Sequence, residues 1–316
     1  MKDNNHTDPS AVQYNTIALD YARDNIESPY NAFYERPATI SLLGEVAGHR
    51  VLEVGCGAGA LTTWLVDHGA TVTAFDASDR MVKLTANAVG DRANLFVADL
   101  SQPLAFVEDH SFDFIVASLV MHYVRDWQHA FREFHRMLAP GGVVVFSTHH
   151  PAMDWSHSLD DYFAIKQVTE RWQKGSVDFD ITFWRRPLTA MTTAISSSGF
   201  LIEQLVEPEP IPELFDRDPV AYEQIRTKPR FLFFRLRADD RQFDLPERVW
   251  PTDLRRIRYG QSLLSRQLRS HRPRALVPSS RNLQPRRYYF IRLSTTSTAI
   301  SSGATVAHPY LYWGDT

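Results

Sequence analysis

The sequence lacks the features that mark secreted and membrane-bound proteins. Cys56 is the only cysteine in 316 residues, so no intramolecular disulfide can form. No run of 18 or more apolar residues is present, and residues 1–6 are polar where a secretory signal would be apolar. We therefore expect a chain without a membrane span, located in the reducing environment of the cytoplasm.

Lysine is absent from the last part of the chain. Residues 241–316 hold 13 Arg and four acids, so they carry about +9 and residues 1–240 about −12, within a formal net charge of −3. Because an acidic body is poorly suited to a phosphate backbone, no nucleic-acid partner is expected. We interpret residues 1–237 as the folded domain and 238–316 as an Arg- and Ser-rich extension that is disordered or loosely packed. A change of reading frame is an alternative origin for this extension.

What the sequence does contain is a regular alternation of short apolar segments with amphipathic ones. The apolar segments predict strands at residues 50–54, 71–75, 94–98, 112–117 and 142–147, separated by helices at 61–68, 78–88 and 127–138. This alternation predicts a doubly wound α/β fold, in which helices cover both faces of a parallel sheet. Ligands of such folds bind beyond the carboxyl ends of the strands.

Secondary structure is also predicted for the segments that precede and follow this alternating core. Residues 10–47 are predicted as a helical N-terminal cap, in which Pro29 interrupts the first helix and Gly48 ends a second one over residues 33–46. Residues 155–187 are predicted as an inserted β-hairpin lid, because they are rich in aromatic and β-branched residues. The remaining predicted elements are hairpin strands at 162–172 and 177–184, a helix at 188–198, strands at 200–206 and 231–236, and proline-rich turns between these last two.

A glycine loop follows the first predicted strand and opens the next helix, a layout that binds a polar or anionic cofactor at a helix N-terminus. Gly55 and Gly57 allow a tight turn and close approach of a ligand to the backbone, and Gly59 allows the helix to pack near the strand. Cys56 lies within this loop. The glycine pattern by itself also fits a dinucleotide fingerprint, so it leaves the cofactor open.

Three carboxylates near the strand ends narrow the choice of cofactor. Glu53 precedes the glycines, where it suits the cationic amino-acid end of S-adenosylmethionine (SAM) and would repel a pyrophosphate. Asp76, about 20 residues further on, is placed to accept hydrogen bonds from ribose hydroxyls, which both cofactors require. Asp99 ends the third strand and is placed to accept from an adenine amino group, with capping of a turn as the alternative.

Four motifs occur in order and at matching spacing, at residues 51–59, 74–81, 112–118 and 138–142. Together they resemble the class I SAM-dependent methyltransferases, and in finer detail the small-molecule branch related to the ubiquinone and menaquinone methyltransferases. The resemblance covers residues 14 to about 237. It implies a seven-stranded Rossmann-like sheet with a final antiparallel strand, SAM as the cofactor, and an N-terminal helix over it. The implied contacts, beyond the loop and the carboxylates, are Tyr14, Ala77, Met81, Leu100 and Ser118, with Tyr21 and Tyr34 as further candidates.

The predicted acceptor site lies at the ends of the fourth and fifth strands, under the hairpin. His122, His149 and His150 are candidates for a base that removes an acceptor proton, with structural hydrogen bonding as the alternative. Arg185 or Arg186 is a candidate for binding an acidic acceptor, although adjacent strand residues face opposite sides. The hairpin aromatics predict either a pocket wall or plain core.

The absence of certain residue types further limits the methyl acceptors that we expect. Cys56 is committed to the glycine loop, so chemistry that needs a cysteine nucleophile is not expected, and no His/Cys cluster at metal-ligand spacing predicts a metal. A small organic molecule remains as the partner, with O-methylation ahead of N- or C-methylation. Two other functions stay open: an NAD(P)-dependent oxidoreductase that uses the same glycine loop, and a non-catalytic SAM-binding protein.

Overall fold

A computed structural model of the chain describes residues 9–157, 159–174 and 177–239, which all belong to one compact unit. The predicted C-terminal extension lies outside the described residues from residue 240 onward. Within these ranges, every helix is too short or too polar to cross a membrane.

A seven-stranded sheet forms the centre of the described domain. Its strands are β1 Arg50–Val54, β2 Thr71–Asp76, β3 Ala93–Val97, β4 Phe112–Ala117, β5 Leu138–His149, β8 Phe200–Val206 and β9 Phe231–Ala238. They lie in the order β3-β2-β1-β4-β5-β9-β8, and β9 runs antiparallel to both of its neighbours. This arrangement confirms the predicted fold. The direction of winding reverses between β1 and β4, which is where doubly wound folds bind their ligands.

Helices cover both faces of this sheet. The α-helices of the described residues are α1 Pro9–Glu27, α2 Arg36–Leu43, α3 Ala60–Asp67, α4 Asp79–Val89, α5 Trp127–Met137, α6 Pro151–Ser156, α7 Leu188–Ser196, α8 Glu213–Arg217 and α9 Pro219–Arg226. On one face, Phe131 and Phe134 of α5 pack with Ile195 of α7 in the larger apolar cluster. On the other face, Leu61 and Leu65 of α3 belong to a second cluster. Because the central strands are buried on both faces, they read as continuous apolar runs.

The N-terminal cap differs from its prediction. After α1, a π-helical turn over Asn31–Glu35 leads directly into α2, and α2 ends at Leu43. The predicted helix end at Gly48 was therefore wrong, because Gly44 ends the helix instead. Gly44 has φ +72°, a left-handed conformation that favours glycine, while its N–H still donates to the Ile40 carbonyl at 3.1 Å.

The predicted hairpin is present as a sheet of its own. Strands β6 Lys166–Lys174 and β7 Val177–Arg185 pair with each other and do not join the large sheet. The hairpin packs on α1 through Ile17, Phe179, Ile181 and Phe183. The side chain of Gln13 exchanges two hydrogen bonds with Thr182, from Gln13 Nε2 to Thr182 Oγ1 at 3.3 Å and from Thr182 N to Gln13 Oε1 at 3.2 Å.

Three predicted boundaries around the hairpin and the last strands were wrong. Tyr162, predicted to open the first hairpin strand, precedes β6, and its hydroxyl accepts a hydrogen bond from Leu188 N at 3.2 Å. The short helix α6, Pro151–Ser156, was not predicted, and its last two residues overlap the start of the predicted hairpin region. The predicted proline-rich turns contain α8 and α9, since Pro219 is tolerated in the first turn of α9 and the Asp218 side chain caps Ala221 N at 2.9 Å.

Candidate cofactor and acceptor site

A cavity of about 350 Å³ opens at the carboxyl ends of β1, β2, β3 and β4, and α1 and the hairpin complete its wall. This volume lies within the range of small-molecule sites, ~300–1,000 Å³. The structure thus brings together, in one cavity, most of the residues that the sequence predicted to bind the cofactor. Those that line it are Tyr14, Gly55, Gly57, Asp76, Ala77, Met81, Asp99, Leu100 and Ser118.

Two glycines of the loop are required for different reasons. Gly55 has φ +73°, and a Cβ at this position would lie 2.2 Å from Cγ2 of Val120. Gly57 has φ +54° and open space in front of it, with Tyr21 Cε1 3.9 Å from the position of a Cβ. The loop therefore packs tightly against the β4 end at Gly55 and leaves its backbone accessible to a ligand at Gly57.

Glu53, Cys56 and Gly59 are not among the described residues that line the cavity, and their contacts with the cofactor stay predictions. Gly59 begins α3 with φ +87°, and a Cβ there would lie 3.0 Å from Cα of Thr85 on α4. The Cys56 thiol is buried, and burial raises its pKa above its ordinary value. Gly59 thus allows α3 to pack close to α4, rather than close to its strand as the sequence suggested.

Asp76 joins the end of β2 to the glycine loop. Its carboxylate accepts hydrogen bonds from Gly57 N at 2.9 Å and from Ser78 N at 2.9 Å, and it lines the cavity. Asp99 accepts from Ser101 N at 2.8 Å, so it caps a turn, which was the alternative predicted for it, while also lining the cavity. Both carboxylates therefore face the cavity and are held in place by backbone N–H groups.

Glu53 is buried behind the loop, with 2% of its surface exposed. Thr62 Oγ1 donates to its Oε2 at 2.6 Å. Burial, assisted by the nearby charges of Asp76 and Glu35, raises the pKa of Glu53 to about 8. The carboxyl predicted to be anionic beside the loop is therefore shifted towards its protonated form near neutral pH.

A tyrosine cluster on α1 and after β4 covers the cavity. The Tyr14 and Tyr123 hydroxyl oxygens lie 2.7 Å apart, and the Tyr21 ring packs edge-on against Tyr14. Burial raises the pKa of both Tyr14 and Tyr21 well above 10, so these hydroxyls stay protonated and do not act as bases at neutral pH. Tyr34, the third predicted candidate, is stacked on Phe231 in another apolar cluster and does not line the cavity.

A buried chain of hydrogen bonds that the sequence analysis missed shapes the β4 end of the cavity. Glu35, 3% exposed, accepts from Ser147 Oγ at 2.6 Å and from Thr39 Oγ1 at 2.7 Å. Ser147 Oγ in turn accepts from Leu119 N at 2.9 Å, where Leu119 has φ +53° and lines the cavity. The π-helical turn that carries Glu35 therefore helps to hold a strained backbone next to the site.

The three histidines predicted as candidate bases are absent from the described lining of the cavity. His122 and His149 stack face to face with ring centroids 3.8 Å apart, behind Tyr123 and against Phe183. His150 Nε2 lies 2.7 Å from Glu207 Oε1, and its Nδ1 accepts from Ala152 N at the start of α6. This placement favours the predicted alternative of a structural role, and contact of these histidines with an acceptor stays a prediction.

The stacked pair is expected to make the domain sensitive to acid. Burial, with the nearby charges of His149 and Arg186, holds the pKa of His122 well below its ordinary 6.5, and its Nδ1 has no hydrogen-bond partner in the described structure. The unfolded chain therefore takes up a proton as the pH falls below 6.5 while the folded state does not, so stability is lost on acidification. Urea unfolding at several pH values from 7.5 to 5 should show this loss of unfolding free energy. The His122→Phe variant should show a smaller slope of unfolding free energy against pH. An equal slope in both proteins would contradict this assignment, and His68→Phe on the surface is the control.

The two arginines predicted to bind an acidic acceptor instead bind other groups of the protein. Arg185 forms an ion pair with Glu170 at 3.0 Å, and Arg186 donates to the Val124 carbonyl at 2.6 Å. Burial lowers the pKa of Arg186 to about 9. Instead, Arg125 lines the cavity together with Trp184 of the hairpin. Arg125 was not predicted from the sequence, although its position shortly after the fourth strand was an available signal.

The structure is that of a doubly wound α/β protein with a cavity at its switch point. Residues 52–146 match the family model described as a methyltransferase domain. A solved SAM-dependent methyltransferase from Mesorhizobium loti is 28% identical, with a TM-score of 0.52, over 64% of this chain and 96% of that chain. The chain carries a class I SAM-dependent methyltransferase domain, which confirms the predicted family and its cofactor.

Curated relatives cover part of the chain. A demethylmenaquinone methyltransferase from Tropheryma whipplei (strain Twist) is 34% identical over 149 residues, 46% of this chain and 62% of that protein. A malonyl-[acyl-carrier protein] O-methyltransferase from Pseudescherichia vulneris is 31% identical over 143 residues, 44% of this chain and 55% of that protein. The chain thus spans less than two thirds of the length of these relatives.

Proposed function

We propose that this protein transfers a methyl group from SAM to a small organic molecule, with oxygen as the accepting atom. The observation that carries the proposal is the continuity of the cavity. Gly57 and Asp76 line the cavity at the ends of β1 and β2, on the proposed cofactor side. Arg125 and Trp184 line the same cavity on the proposed acceptor side. The malonyl-[acyl-carrier protein] relative is named as an O-methyltransferase, which supports oxygen as the acceptor atom.

The residues present fit the cofactor. Asp76 is placed for ribose hydroxyls, Gly57 leaves the backbone open, and Glu53 lies behind the loop as a carboxyl that a cation would ionise. When bound, SAM supplies a methyl group on an activated sulfonium. The chain's own contribution is to align the acceptor with that methyl group and to exclude water. Residues of α1 and of the hairpin exclude water by covering the cavity. The Tyr14 hydroxyl, whose pKa burial raises, stays neutral and is available as a hydrogen-bonding group at the cavity wall.

The cavity places a requirement on the acceptor itself. Among the described residues that line it there is no histidine, and its carboxylates, Asp76 and Asp99, are on the cofactor side. An acceptor that ionises by itself near neutral pH, such as a carboxylic acid or an acidic phenol, needs no base from the protein. This favours acidic oxygen acceptors over alcohols.

The proposal is tested with the full chain and SAM carrying a labelled methyl group. We expect calorimetric binding of SAM and label transfer to at least one member of a panel of small carboxylic acids and phenols. NAD(P) found in the purified protein in place of SAM would favour an oxidoreductase. Tight SAM binding without transfer across the panel would favour a non-catalytic SAM-binding protein.

Replacing Asp76 by alanine is expected to weaken SAM binding by roughly 1.5–3 kcal/mol, the scale of hydrogen bonds to a charged group. The loss has two sources, since the carboxylate is placed for ribose and also holds Gly57 N. Calorimetry of both proteins measures it. Asp113→Ala is the matched control, because Asp113 pairs with Arg50 at the opposite end of the strands and does not line the cavity. An unchanged affinity in Asp76→Ala would refute the ribose role.

A further inference from the structure

Arg125 is the one cation among the described residues that line the cavity. It makes no ion pair with any residue that the structure describes, whereas Arg185 on the neighbouring hairpin is paired with Glu170. The guanidinium carbon of Arg125 lies 5.2 Å from the centroid of the Trp184 ring, which also lines the cavity. An arginine in this position is held in place by an aromatic face and retains its full hydrogen-bonding capacity for a ligand.

The backbone that carries Arg125 is fixed by a buried group. Arg186, 5% exposed, donates through Nη2 to the Val124 carbonyl at 2.6 Å and to the Arg125 carbonyl at 3.4 Å. Its guanidinium lies over the Trp127 ring at 4.4 Å. The end of β7 therefore supports Arg125 twice, through Trp184 at its side chain and through Arg186 at its backbone. Such pre-organisation lowers the entropy lost when a ligand binds.

The chemistry of the surroundings selects the ligand group. A guanidinium presents parallel N–H donors that match the two oxygens of a carboxylate. Gln167, which pairs with Trp184 across the hairpin and lines the cavity, adds a neutral amide. The Trp184 and Tyr123 rings offer apolar surface to the rest of a small molecule.

We propose that Arg125 binds a carboxylate of the methyl acceptor, and that the acceptor is therefore a small organic acid whose apolar part packs on Trp184 and Tyr123. This inference rests on the proposed function and names its substrate class. It transfers to Arg125 the role that the sequence suggested for Arg185 or Arg186.

The test uses the full-chain protein saturated with S-adenosylhomocysteine, and two probes that differ in charge. Binding of 4-hydroxybenzoate and of the neutral 4-hydroxybenzamide is measured by calorimetry. We expect the wild type to prefer the carboxylate, and Arg125→Gln to lose on the order of 10- to 100-fold in carboxylate affinity with little change for the amide. Arg125→Lys keeps the positive charge but lacks the paired N–H donors of a guanidinium, so it should retain part of the preference for the carboxylate probe.

Arg132→Gln is the matched control, because it removes the same charge from an exposed position on α5 and should keep the carboxylate preference. Arg125→Gln should bind S-adenosylhomocysteine as the wild type does, which shows that it is folded. A retained carboxylate preference in Arg125→Gln, or none in the wild type, would overturn the role of Arg125. Failure of the wild type to bind S-adenosylhomocysteine at all would instead overturn the proposed function.

Discussion

Replacing Glu53 by glutamine is expected to stabilise the cofactor-free protein at alkaline pH. The pKa of Glu53 is raised from an ordinary 4.5 to about 8 in the folded state, chiefly by burial. Between these two values the unfolded chain loses the proton and the folded state keeps it, so the wild type loses stability as the pH rises from about 4.5 to about 8. The shift corresponds to at most about 5 kcal/mol.

Glutamine removes this loss because it does not titrate and its amide oxygen can still accept from Thr62 Oγ1. Denaturant unfolding at pH 5 and pH 9 measures the effect: the difference in unfolding free energy between Glu53→Gln and the wild type should grow in favour of the variant at the higher pH. Glu108→Gln, which removes a carboxylate from an exposed position, is the control. A difference that is the same at both pH values would show that Glu53 is not protonated in the folded state.

Gly55→Ala is the second substitution with a large expected effect. Alanine is strained at φ +73°, and its Cβ would lie 2.2 Å from Cγ2 of Val120. We expect a loss of about 2–4 kcal/mol in unfolding free energy, from the left-handed backbone and from overpacking. Because Gly55 and Val120 both line the cavity, SAM binding should weaken as well.

Two further variants separate the causes of this effect. Gly90→Ala places alanine at φ +62° with nothing within 4 Å of its Cβ, so it measures backbone strain without a clash. Combining Gly55→Ala with Val120→Ala removes the clashing methyl and should recover part of the lost stability. If Gly90→Ala costs as much as Gly55→Ala, or if the double variant shows no recovery, the close packing of the loop against Val120 is not the cause.

The sheet and the cofactor side of the site were predictable because their signals are local. A buried parallel strand is an apolar run, and a left-handed turn next to a ligand calls for glycine, as at Gly55 and Gly57. The carboxyl ends of parallel strands meet at one edge, so Asp76 and Asp99 come together once the fold is known.

The acceptor side was less predictable because it depends on side-chain direction in short turns. His122 lies in a single 3₁₀ turn that directs its ring inward to stack on His149, and Arg125 follows the same turn yet lines the cavity. Neither direction follows from a periodic pattern. Arg185 and Arg186 were reasonable candidates by charge, but their partners, Glu170 and the Val124 carbonyl, are distant in sequence. Glu35 likewise lay within a predicted helix with no sign that it would be buried.

The separate sheet of the hairpin has a consequence for how such a protein diversifies. Because β6 and β7 pair only with each other within the described structure, Gln167 and Trp184 can change without altering the strand order or the glycine loop. The hairpin instead reaches the rest of the domain through its packing on α1 and through the hydrogen bond of Arg186, just after β7, to the Val124 carbonyl. A substitution at Gln167 or Trp184 is therefore expected to change the wall of the cavity and to leave the pairing of the large sheet intact.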